Sequence, residues 1–244
     1  MIKNNFASFA ERLNMVRTRI AAASEKDGRA PDAVRLLAAS KAQPPESIRQ
    51  AAECGLVMFG ENRIQEASQK IPLCPGQLEW HLIGHLQSNK VRVAVSLFRM
   101  IHSVDSQKLL AAVEDAAEAA GRQIPVCLEV NVSGEGAKFG FAPEMVPETL
   151  LFAERLKRVE IKGLMTIPPA VKDPELVRPF FKKLRTLRDQ WRDQTGFALD
   201  ELSMGMSHDF EIAVEEGATI VRLGTILFGQ RKNNQTAGKI EGAE

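Results

Sequence analysis

The sequence predicts an α/β fold: a single (β/α)8 barrel, the TIM-barrel arrangement, preceded by one extra helix. Two observations carry that expectation. Eight short apolar runs alternate with amphipathic helical patterns from end to end of the chain. Its 244 residues also match the length of about 250 that such a barrel needs. An open doubly wound sheet is the alternative, because periodicity does not count sheet edges.

The first element is helical. Phe6, Phe9, Leu13, Val16 and Ile20 recur at spacings of three and four, and Gly28 and Pro31 close the segment. Such a helix, placed before the first strand, is expected to cap the bottom of the barrel. Strands follow at 36–40, 57–60, 80–83, 100–103, 126–132, 161–166, 202–204 and 220–223. Helices are expected between them near 45–53, 62–70, 87–97, 106–120, 144–157, 174–192 and 208–216. The clearest stripe is Val177, Phe180, Phe181, Leu184, Leu187 and Trp191, with Lys182, Lys183, Arg185 and Arg188 as its solvated face. No Pro/Gly/Ser-rich linker interrupts the pattern, so residues 1–244 read as one domain. The polar tail after Arg231 is expected to fray.

Composition narrows the function. With 32 basic and 31 acidic residues the net charge is +1, so no global field recruits nucleic acid or an anionic membrane. Cys54, Cys74 and Cys127 are odd in number and widely spaced, reading as reduced thiols. No apolar run approaches a membrane span of roughly 18 residues, and no signal-peptide core opens the chain. A cytoplasmic protein is expected, which makes the sequons at Asn131 and Asn234 irrelevant. Tyrosine is absent beside 12 phenylalanines, which removes one common proton-transfer residue.

In a barrel every strand opens its carboxyl end on one face. The residues gathered there are Lys41, Asn62, His81 with Gly84, Asn131, Met165 with Thr166, the run SMGMS (203–207), and Arg222 with Gly224 and Thr225. A lysine after a strand is commonly a solvated loop residue. Lys41 differs in setting, between Ala38-Ala39 and the turn residues Pro44-Pro45, where a poorly solvated ammonium would yield a nucleophilic amine. Barrels commonly hold phosphate with the loops after strands seven and eight. Ser203, Gly205, Ser207, Gly224 and Thr225 supply hydroxyls and an approachable backbone there, although Gly205 and Gly224 also fit plain tight turns. Arg222 interrupts an apolar strand and needs a partner or a ligand. An amine with an anion cradle points to a phosphorylated aldehyde.

Other signals are weaker. His81 and His85 are four apart, but a strand and Gly84 do not make a helical zinc motif. SGEGAKFG (133–140) has glycine spacing one residue too long for a dinucleotide loop and reads as a mobile loop carrying Lys138.

These stretches carry a resemblance: ASK (39–41), FGENRIQE (59–66), WHLIGHLQSNK (80–90), HSVDS (102–106), LEVNVSGEGAKFGF (128–141), KGLMTI (162–167) and the whole of 202–229. In that order they resemble the pyridoxal-phosphate homeostasis proteins, a family similar to the N-terminal barrel of alanine racemase. The resemblance implies pyridoxal 5′-phosphate as cofactor, with Lys41 as its Schiff-base lysine and Arg222 facing the pyridine nitrogen. It further implies that Ser207, Gly224 and Thr225 hold the phosphate, and that Asn62, His81, Met165, Ser203 and Met204 line the pocket. Members of the family handle the cofactor itself and show no established turnover.

Chemistry draws the same distinction. Racemisation needs a second base opposite the lysine, which in the racemase is a tyrosine from an added β domain; this sequence holds neither. A permanently charged guanidinium also weakens the ring as an electron sink. Carriage or buffering of the cofactor, with apo-enzymes that use it as possible acceptors, is therefore expected first. A pyridoxal-phosphate racemase or decarboxylase, with Cys127 or His208 as proton donor, is the alternative. A cofactor-free Schiff-base aldolase is a third.

Overall fold

Eight strands pair in chain order and close on themselves: β1 (Arg35–Ala39), β2 (Met58–Glu61), β3 (Glu79–Leu82), β4 (Met100–Val104), β5 (Ile124–Glu129), β6 (Val159–Met165), β7 (Glu201–Ser203) and β8 (Ile220–Leu223). Every pairing is parallel, and β1 seals the barrel against β8 with Ala38 opposite Leu223. The structure, a computed structural model, describes residues 8–136 and 138–229. Phe6, the sequon at Asn234 and the polar tail lie outside those residues.

The helices are α1 (Phe9–Lys26), α2 (Pro45–Glu53), α3 (Ile64–Lys70), α4 (Val91–Leu97), α5 (Gln107–Ala119), α6 (Val146–Ala153), α7 (Arg178–Thr195), α8 (Phe210–Glu215) and α9 (Thr225–Phe228). Prolines set several boundaries. The segments Pro143–Met145 and Pro174–Val177 form 3-10 turns that lead into α6 and α7. Gly196 ends α7 in the left-handed conformation at φ 75°, where a side chain would be strained. The expected strand 126–132 is displaced: β5 starts at Ile124 and ends at Glu129, leaving Val130 in a single bridge to Phe141.

Helix α1 does not cap the bottom. Its buried face (Leu13, Val16, Ile20, Ala23) lies along the outside of the barrel against α8, α9 and α2. Arg12 Nε donates to the Leu227 carbonyl at 2.6 Å, and Phe9 meets Phe228 with ring centroids 5.4 Å apart. The reason is geometric. Among the described residues, β8 is followed by the one-turn α9, too short to cover the β8–β1 wall, and α1 occupies that place in the ring.

Alternation along the strands builds two apolar shells. Ala38, Phe59, Leu82, Ile101, Leu128, Leu164, Leu202 and Leu223 face the helices. Inside the barrel, Leu37, Met58, Ile83 and Ile220 form one apolar patch, and Met100, Cys127 and Met165 another. Polar side chains run between the patches. His102 on β4 bonds Ser203 on β7 at 2.8 Å, and since those strands are not neighbours, the bond crosses the interior.

Candidate functional site

Strand β1 ends at Ala39, and the chain turns at Lys41 and Ala42 towards α2. Lys41 is exposed, which corrects the expectation of a desolvated amine: Ala38 faces the outer shell, and the turn lifts Lys41 clear of the apolar strand. It lines a cleft of about 290 Å³ with Ala42, Asn62, Arg63 and Glu66. Ala42 has φ 60°, a left-handed backbone that costs a residue with a Cβ about 1–2 kcal/mol.

Beneath Lys41 lies a bonded cluster of side chains. Ser40 Oγ donates to Glu61 Oε1 at 2.6 Å, and both residues are fully buried. Lys70 Nζ, at the end of α3, donates to Glu61 Oε1 (2.8 Å), to Glu66 Oε1 (2.6 Å) and to the Ser40 carbonyl (2.8 Å). Glu66 Oε1 also accepts from the Ala42 N–H at 2.6 Å. Burial pushes the Glu61 carboxyl above its ordinary range, while Lys70 and Ser40 pull it back.

The opposite wall is made by β7 and β8. Arg222 is buried; Nη1 donates to the Ser203 carbonyl (2.6 Å) and hydroxyl (2.8 Å), and Nη2 to the Thr166 carbonyl (3.0 Å). The partner that a charge in an apolar strand requires is thus largely backbone oxygen. A relay continues from Ser203 to His102 Nδ1, and from His102 Nε2 to His81 Nδ1 at 2.9 Å. Burial holds His81 down at about 4 and His102 well below its ordinary value, so both rings are neutral. His81 Nε2 is buried without a bonding partner. His85 instead stands at the mouth, pairing with Asp105 at 3.2 Å and stacking on Phe139 of the 133–140 segment.

Beyond β7 the backbone turns sharply at Gly205, φ 93°, where a Cβ would come within 2.6 Å of the Ala213 methyl. That turn brings Ser207 against β8, its Oγ 3.4 Å from the N–H groups of both Gly224 and Ile226. Thr225, beside them, is exposed. Met165 lies in the barrel interior, and Asn62 borders the Lys41 cleft. Met204 does not line the interior. Ser203 points inward, so the pleat turns Met204 outward into the helix-facing shell, where it is fully buried.

The sequence reading missed three participants. Glu61 ends β2, one residue past the predicted strand 57–60, and was passed over there, while Lys70 at the end of α3 resembles an ordinary surface lysine. Glu129, the last residue of β5 and opposite Met165, was passed over inside a longer predicted strand. Burial, with Asp105 nearby, raises its carboxyl to about 7 against the pull of Arg222.

Comparison with known proteins bears directly on this arrangement. The family described as alanine racemase, N-terminal domain, matches residues 2–232. The pyridoxal phosphate homeostasis protein of Aquifex aeolicus is 48% identical over 223 residues, covering 91% of this chain and 98% of that protein. The chain belongs to this family. Its Pseudomonas aeruginosa homeostasis protein is 41% identical over 226 residues, covering 92% of this chain and 96% of that one. PipY of Synechococcus elongatus, a solved structure with pyridoxal phosphate bound, superposes with a TM-score of 0.81 at 39% identity, covering 91% of this chain and all of PipY.

Proposed function

We propose that this protein holds pyridoxal 5′-phosphate on Lys41 and stores or delivers it in the cytoplasm, without turning over a substrate, and that residues 1–244 act as one barrel domain. The observation that carries this reading is the adjacency of amine and cradle. The cofactor bears its aldehyde and phosphate arm on neighbouring ring carbons, so the groups that hold them must be neighbours too. Strands β1 and β8 are paired, and a Cβ placed on Gly224 would lie only 3.2 Å from the Ala39 carbonyl, two residues before Lys41. The cofactor supplies an aldehyde that a primary amine captures reversibly.

This chain's own residues do the rest. The N–H groups of Gly224 and Ile226, with Ser207 and Thr225, bind the phosphate; each charge-assisted bond contributes about 1.5–3 kcal/mol. Arg222, fixed by Ser203 and Thr166, presents a charge that disfavours protonation of the ring nitrogen. Asn62 and Met165 border the ring. An exposed Lys41 lets the cargo exchange with apo-enzymes that use it.

One observation favours a second reading, a pyridoxal-phosphate racemase or decarboxylase: Glu129, titrating near neutrality at the end of β5, could move a proton. Borohydride reduction of the loaded protein followed by peptide mass mapping tests the first reading, and is expected to place the label on Lys41. Label confined to another lysine removes it. Amino-acid turnover that disappears in Lys41→Ala would establish the second. Unphosphorylated pyridoxal is expected to bind at least 100-fold more weakly, a difference of about 2.7 kcal/mol, and equal affinities would refute the cradle.

A further inference from the structure

We infer that Lys70, Glu66 and Glu61 form a clamp that aims Lys41, and that this clamp also excludes Lys70 itself from reaction; the inference deepens the reading of Lys41 as the amine that takes the aldehyde. The clamp grips the backbone on both sides of Lys41. Behind it, the Ser40 carbonyl accepts from Lys70; ahead of it, the Ala42 N–H donates to Glu66. Lys70 joins the two grips, because the same ammonium also bonds Glu66 Oε1. Glu61, fully buried, holds Lys70 in place and takes the Ser40 hydroxyl as a third tie.

Two features make this more than local packing. Ala42 occupies the left-handed region at φ 60°, which alanine leaves unless something holds it. Two bonds hold it: the Gln43 N–H donates to the Ser40 carbonyl at 3.0 Å and closes the turn, and Glu66 fixes the 41–42 peptide through the Ala42 N–H. Released from Glu66, that peptide would be free to tilt within the turn and turn Lys41 away from the β8 wall. Lys70 is also fully committed. An ammonium has three protons, and here each has an acceptor: Ser40 O, Glu61 Oε1 and Glu66 Oε1. With all three protons engaged, Lys70 is held within the clamp and is not presented to the cleft that Lys41 lines. Lys70 and Glu66 are positioning residues in this scheme and touch no cargo.

The test uses the full chain and two measurements. The first is trace labelling of Lys41 by a small amine-reactive anhydride in cofactor-free protein, read by peptide mass mapping. The second is the rate of borohydride-trappable pyridoxal phosphate uptake on Lys41. Glu66→Ala, whose side chain is 29% exposed, removes the grip on Ala42 without stranding a buried charge and is expected to fold. Glu61→Gln combined with Lys70→Met removes the buried pair together. In both variants the Lys41 uptake rate is expected to fall at least tenfold and its labelling to change by a similar factor. Affinity for a pyridoxal phosphate analogue lacking the aldehyde should stay within twofold, since the cradle lies on the other wall. Glu66→Gln keeps an acceptor oxygen for Ala42 and is expected to recover most of the rate. Wild-type uptake and labelling in Glu66→Ala would overturn the clamp, as would a parallel loss of analogue affinity. Wild-type protein that takes up no label on Lys41 refutes the underlying reading instead, and the labelling comparison still decides whether the clamp sets that lysine's reactivity.

Discussion

On the β1–β2 side of the mouth, Lys41 stands above Ser40, Glu61, Lys70 and Glu66, whose side chains are linked in series by hydrogen bonds from Ser40 to Glu61 and from Lys70 to Glu61 and Glu66. On the β7–β8 side, the proposed cradle is backbone: a sharp turn at Gly205 and the N–H groups of Gly224 and Ile226 around one hydroxyl. A wall built from charged side chains fails when one of them is deleted. A wall built from backbone fails when an atom is added. The two halves of one site should therefore answer to opposite kinds of substitution.

The largest effect is expected from deletion on the first wall. Lys70→Ala leaves Glu61, with no exposed surface, as a buried charge without its cation. Breaking a buried pair in this way costs about 3–5 kcal/mol. Chemical denaturation should show that loss, and Glu61→Gln in the same background should recover much of it by removing the stranded charge. A loss of under about 1 kcal/mol in Lys70→Ala would mean that water reaches the cluster and that the wall is not held by charge.

Addition on the second wall comes next. Gly205→Ala puts a Cβ into a φ 93° backbone and 2.6 Å from the Ala213 methyl, with Phe210 Cα at 3.1 Å. Strain and overpacking together are expected to cost about 2–4 kcal/mol. Because the turn also places Ser207, affinity for phosphorylated vitamers should fall while Lys41 labelling in the empty protein stays unchanged. Labelling that changes as much as affinity would dissolve the distinction between the walls.

The sequence made the backbone wall easier to read than the side-chain wall, for a physical reason. Strand ends, glycines and hydroxyls fall in short contiguous runs, so Ser203, Ser207, Arg222, Gly224 and Thr225 announce themselves in two motifs. Lys41 also did so, by following a strand, although its exposure contradicts the desolvation inferred from its neighbours. Ser40, Glu61 and Lys70 meet only because three separate elements converge, and no local pattern marks Lys70 as buried. Met204 was misplaced by treating a loop motif as uniformly facing the pocket, when the pleat carries past Ser203 and sends alternate side chains outward. The eight strands were legible from alternation, yet the one-turn α9 was too short to show a period, and with it went the clue that α1 flanks the barrel instead of capping it.

The smallest effect separates the interior from both walls, and its sign can be worked out. Glu129 ionises at about 7 in the folded protein against 4.5 ordinarily, so the folded state holds the extra proton between those values. Its contribution to stability therefore declines as pH rises from 4.5 to 7. His81 and His102 act oppositely. Both are neutral when folded, with His81 at about 4 against 6.5, so their contribution is lost as pH falls from 6.5 towards 4. The two slopes overlap and partly cancel in the native protein. Glu129→Gln removes one slope. Denaturation profiles between pH 4 and 8 should then show stability rising with pH and no decline towards 7, with a gain of the order of 1–3 kcal/mol at pH 8. A Glu129→Gln profile that overlays the wild-type curve would place the carboxylate in contact with water. It would also withdraw the observation that favours proton-transfer chemistry on this barrel.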